Sequence, residues 1–190
     1  MVGVVNPHRV AFIGGDEGPW RITAQTTFRG EALPSADRLA WSRTATRHAA
    51  GKAWSLVGFS SNLRYASRVD VADLRRAELR LPRREATFAA LIPIRKSQAW
   101  WRMAQDEREQ IFRRDSQHSA IGQAHAGHIA RKLFHARDLG GPFDFLTWFE
   151  FEPEAAGRFD ALLSSLRATP EWEYVDREVE LRLIRERTEA

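Results

Sequence analysis

From residue 87 to residue 184 the apolar pattern of the chain switches repeatedly between strand and helix periods, and the order of those switches constrains the fold more than any other feature. TFAALIPI, residues 87–94, is continuously apolar and bounded by charge, as a buried strand is. Ser97 follows and can cap a helical stretch running through SQAWWRMAQDEREQIFRRD. HIARKLFHARD then alternates: Ile129, Arg131, Leu133 and His135 share one face, Ala130, Lys132 and Phe134 the other. Two glycines and Pro142 turn the chain into FDFLTWFEF, a strand with Phe143, Phe145, Thr147, Phe149 and Phe151 on one side. Pro153 opens a helix in which Ala155, Phe159, Leu162, Leu163 and Leu166 recur about every 3.6 residues. WEYVDREVELRLI closes with a strand bearing Val175, Val179, Leu181 and Leu183 on one face. The order β-α-β-β-α-β predicts a ferredoxin-like unit.

The N-terminal half carries a weaker version of the same signal. WRITAQTTF, AWSLVGFSSNLRYAS and the helical VADLRRAELRL fit a degenerate second copy, although no sequence repeat is visible. No linker rich in Pro, Gly or Ser separates the halves, so one fused body of 190 residues is expected. The expected fold is α+β: two fused ferredoxin-like units, residues 1–85 and 86–190, whose antiparallel sheets form a barrel with the helices outside. The chain lacks cysteine, which removes disulfides, thiolate zinc sites and cysteine nucleophiles. No apolar run approaches the ~20 residues of a membrane span and no signal peptide is evident, so a cytoplasmic, membrane-free protein is expected. The net charge of +4 is spread as arginines among acidic neighbours. That is a mixed solvated surface with no nucleic-acid stripe, though one able to favour a small anion.

Four of the six histidines, His118, His125, His128 and His135, fall within residues 117–151. Imidazole suits metal binding and proton transfer better than core filling. His125 and His128 could share a helix face, but no HExxH pattern or neighbouring carboxylate completes a zinc site. His118 lies in DSQHSAIG, a break between helical stretches, where a ring could project into a cavity. Spacing alone does not choose among them. Arg131 is more informative. A guanidinium between Ile129 and Leu133, on an otherwise apolar face, must be paired or must line a cavity that holds an anion.

ALIPIRKSQAWW (90–101), His118, Arg131, FHARD and PFDFLTWFEF, taken in order, resemble the chlorite dismutase family, and most closely its short-chain, dimeric branch. The family is related to coproheme decarboxylases and dye-decolourising peroxidases. The resemblance is dense over 85–185 and extends more loosely to GFSSNLRYASR and the helix around Glu78. It implies haem b in the C-terminal unit and none in the N-terminal one, and a homodimer acting on chlorite or other small anions.

Residue by residue, the resemblance makes His118 the axial ligand of the haem iron, Glu171 its proximal carboxylate partner and Lys96 the basic member of the same network. Arg131 becomes the distal arginine, in the place where coproheme decarboxylases carry glutamine. Leu133, Thr147 and Phe149 would line the distal pocket with Glu78, which stands where the family often has glutamine. Trp100, Asn62 and Tyr65 would lie near the haem propionates, and Trp101 would pack against the haem or the core. The implied reaction cleaves the O–Cl bond of chlorite at ferric haem and forms the O–O bond from a retained hypochlorite, releasing chloride and dioxygen. Two alternatives stand beside it: a coproheme decarboxylase-like enzyme, and a haem-binding or stress-related barrel protein without chlorite turnover.

Overall fold

The strands of the protein, taken from a computed structural model, are β1 (Arg9–Gly15), β2 (Trp20–Arg29), β3 (Arg38–Ser42), β4 (Lys52–Ser60), β5 (Phe88–Lys96), β6 (Ile129–His135), β7 (Phe145–Phe151) and β8 (Val175–Arg185). The structure describes residues 8–43, 51–60, 81, 83, 85–125 and 127–186. The strands close into an antiparallel barrel in the order β1-β3-β2-β8-β5-β7-β6-β4. Read within each half, both quartets have the same order: β4-β1-β3-β2 and β8-β5-β7-β6 each place the fourth strand beside the first, then the third, then the second. That is the ferredoxin-like order, present twice. The halves meet along a long seam, where β2 pairs β8 from Trp20↔Arg185 to Arg29↔Glu178, and a short one, Phe59↔His135 and Ser60↔Phe134 between β4 and β6.

The two halves differ in how they cross over. In the C-terminal half, β5 leads to β6 through α1 (Gln98–Arg102), α2 (Gln105–Glu109), a π-helical segment Gln110–Asp115 and α3 (His118–His125). β7 leads to β8 through α4 (Ala156–Arg167), entered by a 3₁₀ turn at Pro153–Ala155. In the N-terminal half, β1 and β2 lie on opposite edges of β3, and only residues 16–19 carry the chain across. Gly18 makes this passage possible: a Cβ there would lie 2.4 Å from the Leu39 carbonyl oxygen, and its φ is 141°.

Strand alternation divides the apolar side chains into two layers. Phe12, Trp20, Leu39, Leu91, Phe134, Leu146, Trp148 and Leu181 fill the barrel. On the outer face, Ala90, Ile92, Ile94, Phe149 and Phe151 pack against Phe159, Leu162, Leu163 and Leu166 of α4 and against Trp172. Phe159 is fully buried, its ring stacked on Phe151 at 4.6 Å and edge-on to Phe149 at 5.0 Å.

Three details depart from expectation. The stretch after Ser97 is broken: the cap forms, with Ser97 accepting from the Trp100 N–H, but Met103 and Ala104 are extended and a fresh turn starts at Gln105, where Glu107 accepts from the Ala104 N–H at 2.6 Å. Phe143 joins the barrel cluster and leaves the outer face of the other phenylalanines, because β7 begins only at Phe145. Val175 belongs to the outer layer while Val179, Leu181 and Leu183 face inward. The β5–β8 register shifts between Arg95 and Lys96, so period two does not extend through Val175. Among the described residues, no helix is long and apolar enough to cross a membrane.

Candidate active site

The outer face of β6 and β7 extends past the α4 layer toward α3, and there the side chains stop being purely apolar. Arg131 pairs across to Phe149, and Leu133 to Thr147, which is itself opposite Ile92. The predicted distal residues Arg131, Leu133, Thr147 and Phe149 therefore form one contiguous patch. α3 stands over it. A Cβ at Gly122, one turn beyond His118, would lie 3.5 Å from Arg131 Nη1, so α3 packs directly over the Arg131 side chain. Protein surrounds the Arg131 guanidinium closely enough for burial to lower its pKa, yet the residue keeps solvent-exposed surface. No hydrogen bond or ion pair to it is present among the described residues.

His118 is held from two directions. Its Nδ1 lies 2.7 Å from Glu171 Oε2, and Phe112 stacks on the ring at 4.5 Å with an interplanar angle of 24°. With Nδ1 so engaged, Nε2 is the nitrogen left to coordinate a metal. Gln117, immediately before it, has φ 47°, a left-handed conformation costly for a side chain of this size. The preceding Ser116 is buried, and its hydroxyl accepts from the Glu171 N–H at 2.9 Å. The sharp turn at Gln117 thus joins a residue that fixes the Glu171 backbone to one that meets the Glu171 carboxylate.

Glu171 sits in the 3₁₀ turn Pro170–Tyr174 with its second oxygen, Oε1, 2.7 Å from Lys96 Nζ. Lys96 Nζ also donates to the Glu171 carbonyl at 3.2 Å and lies 4.5 Å over the Trp100 ring. Burial alone would push the Glu171 pKa up. The hydrogen bond and charge of His118, followed by Lys96, reverse this and hold it below the ordinary value. For Lys96 burial dominates and lowers the pKa, against the opposing pull of Glu171 and then Asp144. A carboxylate kept ionised and aimed at Nδ1 fixes the tautomer of His118 and raises its basicity as a ligand.

The structure brings together His118, Glu171, Lys96 and Trp100 in one set of contacts and Arg131, Leu133, Thr147 and Phe149 in another, and α3, which begins at His118, reaches the second set at Gly122. Trp101 packs on Phe145 and Arg137 and donates to Asp144 at 3.0 Å. Asn62, Tyr65 and Glu78 lie outside the described residues. His125 has a buried Nδ1 without a partner, and no cluster of three or more metal-binding side chains exists among the described residues. Phe112, Ser116, Gln117 and Asp144 were not anticipated. Only Asp144 had a visible signal, an acidic residue between the turn GGPF and an apolar strand.

Residues 30–185 match the family model described as chlorite dismutase. The chain belongs to the chlorite dismutase family. Among solved structures it is similar to a dimeric chlorite dismutase from Nitrobacter winogradskyi, with 47% identity and a TM-score of 0.87, covering 93% of this chain and 99% of that one. It is also similar in fold to a chlorite dismutase from Candidatus Nitrospira defluvii in complex with imidazole, with 18% identity and a TM-score of 0.66 over 94% of this chain and 91% of that one. No curated protein matches. For a chlorite dismutase family member, an imidazole–carboxylate–lysine chain near a guanidinium without a partner among the described residues makes a site of two unlike halves, one suited to hold a metal centre and the other an anion.

Proposed function

We propose that this protein is a haem b enzyme that converts chlorite to chloride and dioxygen, and that it works as a homodimer. The observation that carries the reading is the Arg131 guanidinium, without a partner among the described residues, beneath the helix that begins at His118 and so near the His118–Glu171 pair. The residues suit haem: one imidazole with Nδ1 occupied and Nε2 left for iron, on the helix that packs over the strand face of Arg131 and Leu133.

Bound haem would supply the redox chemistry that cleaves the O–Cl bond. His118 would hold the iron, and Glu171, kept anionic by His118 and Lys96, would make the imidazole a stronger donor. Arg131, charged at every relevant pH, would bind chlorite and keep the hypochlorite released by cleavage close enough to recombine. Leu133 and Phe149 would limit water entry beside it. Residues 86–190 would carry the haem, residues 1–85 none. Trp100, Asn62 and Tyr65 would lie at the propionate edge, and Glu78 would accept a hydrogen bond when Arg131 swings away from iron. Arginine at position 131 also favours this reading over coproheme decarboxylation, for which the resemblance implies glutamine.

The test is oxygen evolution on adding chlorite to the haem-loaded protein and to its Arg131→Ala variant. The variant is expected to keep its haem, lose rate by up to about 10²–10³-fold, and leak hypochlorite, so that a methionine trap protects it from bleaching more than it protects the parent. No oxygen from the parent would refute the activity. Equal yield and equal leakage in both would refute the role of Arg131.

A further inference from the structure

Asp144 stands at the turn into β7, and it is buried. Its carboxylate gathers three elements. Oδ2 accepts from the backbone N–H of Lys96 at 2.7 Å and from Trp101 Nε1 at 3.0 Å, and Oδ1 faces Arg137 Nη1 at 3.4 Å. Its own backbone joins the same knot, donating to the Ile94 carbonyl and accepting from the Ala136 N–H, each at 2.8 Å.

We infer that Asp144 is a positioning residue for the iron-binding imidazole, acting through Lys96 and Glu171. Two observations carry this. The β5–β7 ladder ends at Ile94↔Phe145, so beyond it the Lys96 N–H is taken up by the Asp144 carboxylate, which stands in for the next strand pair. The charge of Asp144 also favours the ammonium form of Lys96 against burial, and the ammonium is what holds Glu171 Oε1 at 2.7 Å. The chain of contacts then runs Asp144, Lys96, Glu171, His118, with no water-exposed link: the side-chain exposures are 8%, 4%, 6% and 16%. Withdrawing the Asp144 charge leaves the Lys96 ammonium less compensated, so it draws more on the Glu171 carboxylate and weakens the hold of Glu171 on His118 Nδ1–H. A less basic imidazole stabilises ferric iron less.

The inference rests on haem ligation by His118, and the experiment separates the two. Reduction potentials and iron–imidazole stretching frequencies are measured on the haem-loaded parent, Asp144→Asn, Lys96→Met and the double variant. Asp144→Asn is expected to raise the potential and lower the stretching frequency in the parent background, and to do both by clearly smaller amounts in the Lys96→Met background. Equal shifts in the two backgrounds would mean a plain through-space charge and would overturn the proposal, as would no shift. If Asp144→Asn fails to fold, Arg137→Gln at a half-exposed side chain takes its place in the same cycle. Freed of its cation, Asp144 should then lower the potential, again less when Lys96 is absent; equal lowering in both, or none, overturns it. A parent protein showing no imidazole-ligated haem refutes the ligand assignment and takes the Asp144 proposal with it, an outcome visible before any variant is made.

Discussion

Replacing Lys96 with methionine in the haem-free chain tests whether the proximal network is electrostatically self-consistent. The side chains of Lys96 and Glu171 are 4% and 6% exposed, so neither charge is solvated by bulk water. Removing one member of a buried pair costs roughly 3–5 kcal/mol, because the other is left uncompensated. Glu171 keeps His118 as a partner after the change, and methionine packs well against the Trp100 and Trp172 rings, which places Lys96→Met near the lower end, about 3 kcal/mol. At roughly 2–4 °C per kcal/mol for a chain of this size, the melting midpoint should fall by about 6–12 °C. Glu171→Leu alone should cost a similar amount. The double variant removes both charges together and should recover to within about 1 kcal/mol of the parent. Denaturant titration followed by circular dichroism measures all four. Glu171 is held below its ordinary pKa, so its stabilising contribution is present above the unfolded value and is lost as pH falls through the folded one. The deficit of Lys96→Met should therefore shrink in acid. A double variant as unstable as the sum of the singles, or singles costing under about 1 kcal/mol each, would refute the reasoning.

Three further outcomes are expected. His118→Ala should abolish or severely weaken haem retention while His125→Ala leaves it intact; haem titration followed by the Soret band decides. Phe159→Ala should destabilise by about 3–5 kcal/mol, since the ring is fully buried between Phe149 and Phe151, and an unfolding midpoint close to the parent would contradict the packing described. Gln117→Gly should relieve the left-handed backbone and raise stability by up to about 1 kcal/mol, less whatever glycine adds to the unfolded-state entropy; a clear loss would mean that the Gln117 side chain has a role of its own.

Period two placed Arg131 with Leu133 on one face of β6 and Thr147 with Phe149 on one face of β7; that these faces form one patch was implied only by the family resemblance, because the register that aligns them is not written in either strand. The value of His118 was not legible that way. Its partner Glu171 lies 53 residues on, in a 3₁₀ turn, Pro170–Tyr174, whose last three residues, WEY, had been read with the final strand. Nothing in local pattern announces such a contact, and only the family resemblance selected this histidine. The break at Met103–Ala104 rests on a local cap, Glu107 on the Ala104 N–H, and the shift at Arg95–Lys96 on pairing with β8; neither leaves a Gly or Pro marker. The N-terminal doubling was visible only as a faint pattern, because four residues crossing β3 at Gly18 take the place of the helix that would have marked a crossover.

The long β2–β8 seam has a consequence for how the molecule comes into being. Trp20 pairs with Arg185, so the eighth strand to leave the ribosome is the one that the second strand needs. The early half of the chain emerges with its β2 edge unmatched and waits through most of synthesis for its neighbour, a long interval for a strand edge open to wrong partners. Glu171 also emerges late, so His118 acquires its carboxylate only as the barrel closes. Contacts of such separation form slowly. The His118–Glu171 pair and the barrel are therefore completed in one late event, and a chain stalled before β8 would possess neither.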